Sequence, residues 1–266
     1  MGWFDGQRVL ITGGAAGIGL CAARAFAAEG AALLLVDRDS EALARAVEEL
    51  RSEGASVQGF TVDVTSREQV SAMAAEVLAG GPLDVLVNNA GVGHTAPLAD
   101  TPLETWRKLL DVNLWGVLHH VDAFLPAMRE RGRGHIVNVS SGQAFFQLPT
   151  WGAYAAIKAC VGIYSEILSY EVARDGVRVT TVYPFMVNTG FYKGIEGESA
   201  GAKLSMKLLP LYSQKPETVG RILVKAVRRG KRVEMVHVIN DLGRAVRFSR
   251  PVGGLVSRLT HRVLAA

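Results

Sequence analysis

The chain has 266 residues, of which 49% are hydrophobic and 20% are charged, and its formal net charge at pH 7 is +4. This composition is typical of a soluble globular protein with a sizeable core, and the charge is too small to indicate a nucleic-acid partner. No apolar run is long enough to span a membrane. The two cysteines, Cys21 and Cys160, cannot build a disulfide framework, so we expect a reducing, cytoplasmic environment.

Apolar, strand-like segments alternate with helical segments along the chain. Strands are predicted at residues 8–12, 32–36, 57–62, 84–87, 135–139, 177–183 and 233–239. Helices are predicted at residues 20–29, 40–53, 67–78, 103–131 (with a bend near Asp111), 151–174 and 216–229. This alternation predicts a single α/β domain, a Rossmann-like doubly wound parallel sheet of about seven strands with helices on both faces. We assign residues 1–240 to this domain, with a loop at about 189–215, and residues 241–266 to a C-terminal extension.

Several polar or glycine residues follow directly after predicted strands. They are Gly13, Asp37, Asp63, Asn89 and Ser141. Because ligands of doubly wound sheets bind beyond the carboxyl ends of the strands, these residues are expected to line one crevice.

A glycine-rich segment joins the first strand to the first helix. It contains Gly13, Gly17, Ile18 and Gly19. Glycines at such a turn allow a tight bend, and the helix N-terminus presents free N–H groups to a phosphate. The segment therefore predicts a site for a dinucleotide.

The residues after the second strand bear on which dinucleotide is bound. Asp37 stands where an acidic side chain can bind the ribose 2′-hydroxyl, and a carboxylate there repels a 2′-phosphate. This favours NAD over NADP. Arg38 keeps NADP open, since a guanidinium at this turn is able to hold the 2′-phosphate.

Tyr154 and Lys158 are four residues apart in a predicted helix, so their side chains share one face. A nearby cation favours the phenolate and lowers the pKa of a tyrosine from about 10. Tyr154 is therefore a candidate general acid and base near neutral pH.

Taken together, these motifs resemble the short-chain dehydrogenase/reductase family from about residue 7 to 239. The resemblance is carried by the glycine-rich turn from Thr12 to Gly19, Asp63-Val64, Asn88-Asn89-Ala90-Gly91, Asn113, Ser141, and Tyr154-x-x-x-Lys158. Ser141 precedes Tyr154 by 13 residues, the usual interval in the family.

The resemblance implies four catalytic residues. Tyr154 is expected to act as the acid and base on the substrate oxygen, and Lys158 to lower its pKa and hold the nicotinamide ribose. Ser141 is expected to orient the substrate oxygen, and Asn113 to keep a water in line with Lys158. No metal is expected, because the sequence has no cluster of histidine and cysteine with ligand spacing.

The resemblance also implies contacts to the cofactor. Asp63 is expected to meet the adenine with Val64 beside it, and Asn89 to lie against the adenosine ribose. Val187 and Thr189 match the positions that contact the carboxamide.

One departure from the family pattern follows the sixth strand. The family usually has Pro-Gly there, whereas this chain has Pro184-Phe185. Phe185 either forms an aromatic wall beside the substrate or packs inward. Other substrate contacts are expected from Gln143, Phe145, Trp151, Phe191 and Tyr192, and their apolar character favours a lipophilic alcohol or ketone.

The C-terminal extension alternates arginines with apolar residues, which is typical of a basic amphipathic helix. It is predicted either to contact a membrane peripherally or to dock on the body of the protein or on another subunit. Relatives in the family commonly form dimers or tetramers through their long helices, so a homodimer or homotetramer is expected.

The sequence thus predicts an NAD-dependent oxidoreductase that interconverts a hydrophobic secondary alcohol and its ketone. The alternatives are an NADP-dependent carbonyl reductase using the same site, and a non-catalytic nucleotide-binding or peripheral membrane protein. The joint presence of Asn113, Ser141, Tyr154 and Lys158 argues against a non-catalytic protein, which needs no such set.

Overall fold

The structure, a computed structural model, describes residues 2–145, 148–191, 213–238 and 240–241. Its strands are β1 (Arg8–Thr12), β2 (Ala32–Asp37), β3 (Val57–Thr61), β4 (Val85–Asn88), β5 (Gly134–Val139), β6 (Val177–Tyr183) and β7 (Val233–Met235). Its longer helices are α1 (Gly17–Ala27), α2 (Ser40–Ser52), α3 (Arg67–Ala79), α4 (Leu103–Leu110), α5 (Gly116–Glu130), α6 (Gly152–Glu171) and α7 (Pro216–Arg229). Across these described ranges, no helix combines the length and the apolar character that crossing a bilayer requires.

The strands form one parallel sheet in the order β3-β2-β1-β4-β5-β6-β7. Val9 of β1 pairs with Leu33 of β2 on one side and with Val85 of β4 on the other. The strand order therefore reverses at β1. The connection that follows β1 leads to one side of it, and the connection that follows β4 leads to the other side. Such a switch point opens a crevice at the carboxyl ends of the strands. The predicted fold class is confirmed.

Two hydrophobic cores cover the two faces of the sheet, because successive strand residues point to opposite sides. Val9 and Ile11 pack in the core that includes residues of α1, α2 and α7, whereas Leu10 packs in the core that includes residues of α3, α5 and α6. Burial on both faces explains why the strands read as continuous apolar runs rather than as alternating ones.

The predicted bend near Asp111 is a π-helical turn over Asp111–Trp115, between α4 and α5. The amide nitrogen of Asn113 donates to the carbonyl oxygen of Leu109 (2.9 Å), the acceptor that the backbone N–H of Asn113 would use in a regular α-helix. A side chain that occupies this carbonyl competes with the helical ladder and accounts for the wider turn.

The last strand is shorter than predicted, since β7 ends at Met235 rather than at residue 239. It pairs with β6 from Thr181 to Tyr183, and β6 itself ends there, before Pro184. The N–H of Val236 still donates to the carbonyl oxygen of Tyr183 (3.3 Å), but the described residues beyond it form no further strand and turn back over the end of the sheet.

Candidate active site

The glycine-rich turn after β1 has the backbone shape that its glycines allow. Gly13 and Gly17 have positive φ angles of 62° and 55°. A Cβ atom at Gly19 would overlap the carbonyl oxygen of Gly13 and lie 2.7 Å from the side-chain nitrogen of Asn89. Helix α1 begins at Gly17, and the residue before it, Ala16, makes no side-chain capping bond. The first N–H groups of α1 are therefore available to an anion.

Thr12 ties this turn to the one after β4. Its hydroxyl oxygen accepts hydrogen bonds from the backbone N–H groups of Asn89 and Ala90 (both 3.0 Å). The side-chain amide of Asn89 donates in return to the carbonyl oxygens of Thr12 (2.9 Å) and Gly13 (3.2 Å). Asn89 thus holds the two turns together. Thr12 begins the predicted glycine-rich turn, but no role was predicted for its side chain; a polar residue at the end of an apolar strand is a signal for one.

Asp37 lies at the end of β2 and faces the glycine-rich turn. One carboxylate oxygen accepts from the N–H of Ala15 (3.2 Å) and the other from the N–H of Asp39 (3.1 Å). Arg38, beside it, is exposed. The carboxylate is therefore held against the turn while the neighbouring guanidinium extends into solvent.

Asp63 and Val64 follow β3. One carboxylate oxygen of Asp63 accepts from both the N–H (2.9 Å) and the hydroxyl (2.8 Å) of Thr65. Val64 is buried, and its side chain lies so close to Gly116 that a Cβ atom there would be 2.9 Å from it. Their predicted contacts with adenine stay a prediction.

Tyr154 and Lys158 are both buried on one face of α6, as their spacing predicts. The Lys158 ammonium lies 5.9 Å from the centre of the Tyr154 ring and donates to the carbonyl oxygen of Val139 (3.0 Å). Complete burial lowers the pKa of Lys158 from 10.5 to about 8, because desolvation disfavours its charged form. Ser140 supports this part of α6 by donating its hydroxyl to the carbonyl oxygen of Lys158 (2.6 Å).

Ser141 caps a single 3₁₀ turn, Gly142–Ala144, at the end of β5. Its hydroxyl oxygen accepts from the N–H of Gln143 (3.2 Å). This bond uses a lone pair of the hydroxyl and not its proton, so the proton can be donated to another oxygen.

Asn113 is fully buried on the π-helical turn. It exchanges two hydrogen bonds with the backbone of Val92, accepting from its N–H (3.2 Å) and donating to its carbonyl oxygen (3.0 Å). A Cβ atom at Gly91 would lie 2.8 Å from the side-chain oxygen of Asn113 and 3.5 Å from the Lys158 nitrogen. Gly91 therefore allows Asn113 and Lys158 to approach one another from two different helices.

A cavity of about 260 Å³ joins these elements. Ten predicted site residues line it: Gly13, Gly17, Ile18, Asn89, Ser141, Tyr154, Lys158, Val187, Thr189 and Phe191. Other predicted site residues are described but do not line this cavity: Gly19, Asp37, Arg38, Asp63, Val64, Asn113, Gln143, Phe145, Trp151 and Phe185. Tyr192 and most of the predicted loop at 189–215 lie outside the described residues.

Two of the predicted substrate residues flank Tyr154. The Trp151 ring packs edge-on against it at a centroid distance of 5.8 Å, and the Phe191 ring lies 5.7 Å away. Phe145 instead packs on Tyr183 (4.7 Å), and Phe185 lies beside His237 (6.3 Å).

Gln214 fastens the segment that carries Val187 and Thr189. Its N–H donates to the carbonyl oxygen of Met186 (2.8 Å), and its own carbonyl oxygen accepts from the N–H of Asn188 (3.0 Å). This bridge joins the two ends of the loop at 189–215. No sequence pattern predicts this bridge, because a backbone pairing does not depend on a particular side chain. In the described ranges, no three histidine, cysteine, aspartate or glutamate side chains come together as metal ligands.

Comparisons with known proteins agree with this architecture. A family model described as short chain dehydrogenase matches residues 7–199. The probable oxidoreductase EphD of Mycobacterium tuberculosis is 35% identical over 246 residues, which are 88% of this chain but 42% of that protein. The chain thus spans less than half the length of this relative.

Solved structures give the same result. A short-chain dehydrogenase/reductase from Burkholderia phymatum in complex with NAD has a TM-score of 0.87 at 29% identity, over 95% of this chain and 96% of that one. A gluconate 5-dehydrogenase from Burkholderia cenocepacia in complex with NADP and tartrate has a TM-score of 0.77 at 31% identity, over 87% of this chain and 93% of that one.

The matched region includes every strand from β1 to β6, the glycine-rich turn, Ser141, Tyr154 and Lys158. The resemblance inferred from the motifs is therefore confirmed. The chain belongs to the short-chain dehydrogenase family of oxidoreductases.

Proposed function

We propose that this protein is an NAD-dependent oxidoreductase that interconverts a hydrophobic secondary alcohol and its ketone. The observation that carries the proposal is the convergence of Ser141, Tyr154 and Lys158 on one cavity that the glycine-rich turn also lines. A hydroxyl donor, a phenol and a buried ammonium are the groups that a reaction at an alcohol or carbonyl oxygen needs.

The residues of the turn fit a dinucleotide. Side chains at Gly13, Gly17 or Gly19 would fill the cradle or strain its backbone, and the first turn of α1 has free N–H groups. A diphosphate is the natural ligand of such a helix end. When bound, a nicotinamide cofactor supplies the hydride chemistry.

The protein's own groups handle the proton. Tyr154 takes the hydroxyl proton during oxidation and returns it to the carbonyl oxygen during reduction. Ser141 donates a hydrogen bond to the same oxygen and orients it. Lys158, still largely protonated at neutral pH with a pKa of about 8, favours the phenolate of Tyr154. Two hydrogen bonds to the backbone of Val92 fix the carboxamide of Asn113. Asn113 in turn holds the end of the proton path that lies near Lys158, away from Tyr154.

The preference for NAD rests on Asp37. The backbone N–H groups of Ala15 and Asp39 hold its carboxylate in place. Moving the carboxylate away from a 2′-phosphate would break these hydrogen bonds and would therefore cost free energy. The NADP alternative requires the exposed Arg38 to fold back over this carboxylate.

The environment of Tyr154 supports a lipophilic substrate. Trp151 and Phe191 flank the phenol, and Val92, Trp106 and Leu110 pack in the same apolar cluster. A substrate that approaches Tyr154 from this side gains free energy by burying apolar surface.

We further propose a homodimer or homotetramer in the cytoplasm. Helix α6 exposes Ile163, Ile167 and Tyr170, and the π-helical turn before α5 exposes Trp115, each at least 50% accessible. A patch of this kind on a monomer marks an interaction surface. Residues 241–266, of which the structure describes only Asp241, are proposed to dock on the protein or to contact a membrane.

The test replaces Tyr154 by Phe and measures cofactor binding and turnover separately. Tyr154→Phe is expected to bind NADH like the wild type in a fluorescence titration. It is expected to turn over lipophilic secondary alcohols about 10²–10⁴-fold more slowly, the usual range for a lost general acid and base. The matched control is Tyr170→Phe on the same helix, which keeps the aromatic ring at the proposed interface, removes only a hydroxyl outside the cavity and is expected to keep full activity. Wild-type turnover by Tyr154→Phe would refute the assigned role.

A further inference from the structure

The chain beyond β7 turns back to the end of β6 and is anchored there by Asn240. Asn240 is fully buried, and its backbone N–H donates to the carbonyl oxygen of His237 (2.9 Å). Its side-chain nitrogen donates to the carbonyl oxygen of Tyr183 (2.6 Å), the last residue of β6. Because a carbonyl oxygen can only accept, this bond fixes which end of the carboxamide points away from Tyr183.

The other end of the carboxamide lies against the residue that follows the proposed catalytic serine. A Cβ atom at Gly142 would overlap the side-chain oxygen of Asn240. This oxygen is buried and has no hydrogen-bond donor among the described residues, and the N–H of Gly142 is already donated to the carbonyl oxygen of Pro184 (2.7 Å). The contact is therefore steric, and the lack of a donor among the described residues makes the burial of this oxygen unfavourable.

Phe185 encloses Gly142 from a second side. Its Cδ2 atom would lie 2.8 Å from a Cβ atom at Gly142, and its ring is beside His237. The absence of a side chain at Gly142 gives room for the bulky residue that replaces the usual glycine after Pro184. The turn is thus held between an aromatic ring and a carboxamide.

We propose that Asn240 is a positioning residue for Ser141: it fixes the Ser141-Gly142-Gln143 turn and so the direction of the serine hydroxyl. The turn is short, and the Ser141 hydroxyl oxygen is bonded to the N–H of Gln143 within it, so a shift of Gly142 moves both neighbours. The chain that leads into the C-terminal extension is thereby coupled to the site. The inference rests on the proposed function, in which Ser141 orients the substrate oxygen.

The first experiment measures turnover and NADH binding for Asn240→Ala. Turnover is expected to fall about 10-fold or more, since small misplacements of an orienting group have large effects on rate. NADH affinity is expected to stay within about twofold of the wild-type value, as Asn240 does not line the cofactor cavity. The matched control is Val238→Ala in the same segment, which truncates a side chain that is 76% exposed and is expected to change neither quantity.

A double-mutant cycle separates positioning from a general effect on folding. If Asn240 acts through Ser141, then Asn240→Ala lowers turnover in the wild type but adds nothing in a Ser141→Ala background. An equal further loss in that background would overturn the proposal. If Asn240→Ala fails to fold, Gly142→Ala is used instead, because its methyl group would displace the side-chain oxygen of Asn240. This variant is expected to give the same loss of turnover and the same result in the double-mutant cycle.

Hydrogen exchange needs no substrate, so it tests the contact between Asn240 and Gly142 separately from the proposed function. Hydrogen exchange is expected to be several-fold faster in Asn240→Ala for a peptide covering residues 139–145, and unchanged for a peptide covering β1. Unchanged exchange at 139–145 would overturn the positioning contact even in an active enzyme. Faster exchange in a protein that oxidises no secondary alcohol and reduces no ketone would support the contact while the proposed function fails.

Discussion

The buried charge of Lys158 is expected to lower the free energy of unfolding of the protein. The pKa of Lys158 is about 8 in the folded protein against an ordinary value of 10.5, and the cause is complete burial. At about 1.4 kcal/mol per pKa unit, this difference corresponds to about 3 kcal/mol of folding free energy. The bond from its nitrogen to the carbonyl oxygen of Val139 offsets about 1–3 kcal/mol of that penalty. Lys158→Met, which fills similar volume without a charge, is therefore expected to abolish turnover and to stabilise the protein by about 0–2 kcal/mol at pH 7.

The pH dependence follows from which state holds the proton. Below about pH 8 Lys158 is protonated in both the folded and the unfolded chain, so the penalty is complete. Between about pH 8 and 10.5 only the unfolded chain binds the proton, so the stability of the wild type rises with pH relative to the variant. Above 10.5 the penalty is gone. The advantage of Lys158→Met is thus expected to shrink by about 3 kcal/mol across this window.

Urea unfolding of both proteins, followed by tryptophan fluorescence at one protein concentration from pH 7 to pH 10.5, measures this difference directly. Groups distant from Lys158 that titrate in the same range contribute equally to both proteins and cancel. The comparison is made in a Tyr154→Phe background, because Lys158 itself influences the titration of Tyr154. Lys108→Met, at an exposed lysine, serves as the control and is expected to show no such slope. A difference between the wild type and Lys158→Met that does not change with pH would mean that Lys158 keeps its ordinary pKa and that its burial carries no penalty.

Two further predictions concern the cofactor and the assembly. Asp37→Ala is expected to lower the preference for NADH over NADPH by about 10-fold or more, because the anchored carboxylate no longer opposes the 2′-phosphate. Paired titrations measure the ratio, and an unchanged ratio would exclude this role. Ile163→Glu is expected to shift the protein to a smaller species in sedimentation, since a two-fold interface would bury the new charge twice. Trp3→Glu, at an equally exposed apolar residue elsewhere, is expected to leave the assembly unchanged.

The fold and the chemical groups of the site could be predicted because their signals are local. The alternation of apolar segments with helical ones predicts a parallel sheet, and the positions of Gly13, Asn89 and Ser141 at strand ends predict one crevice. The interval between Tyr154 and Lys158 predicts a shared helix face, and both are buried on it. The positions of Phe145 and Phe185 could be predicted less well, because they depend on the residues that each side chain packs against. Phe145 packs on Tyr183, and Phe185 lies beside His237.

The order of residues along the chain is enough to predict which chemical groups are present and which edge of the sheet they occupy. How those groups are held depends on tertiary packing, because the contacts that hold them join residues far apart in the chain. Val139 accepts from Lys158 since β5 lies under α6, and Asn240 reaches Gly142 since β7 pairs with β6, which pairs with β5. These neighbours follow from the strand order. A backbone carbonyl or a buried carboxamide leaves no pattern in the sequence from which its partner can be deduced.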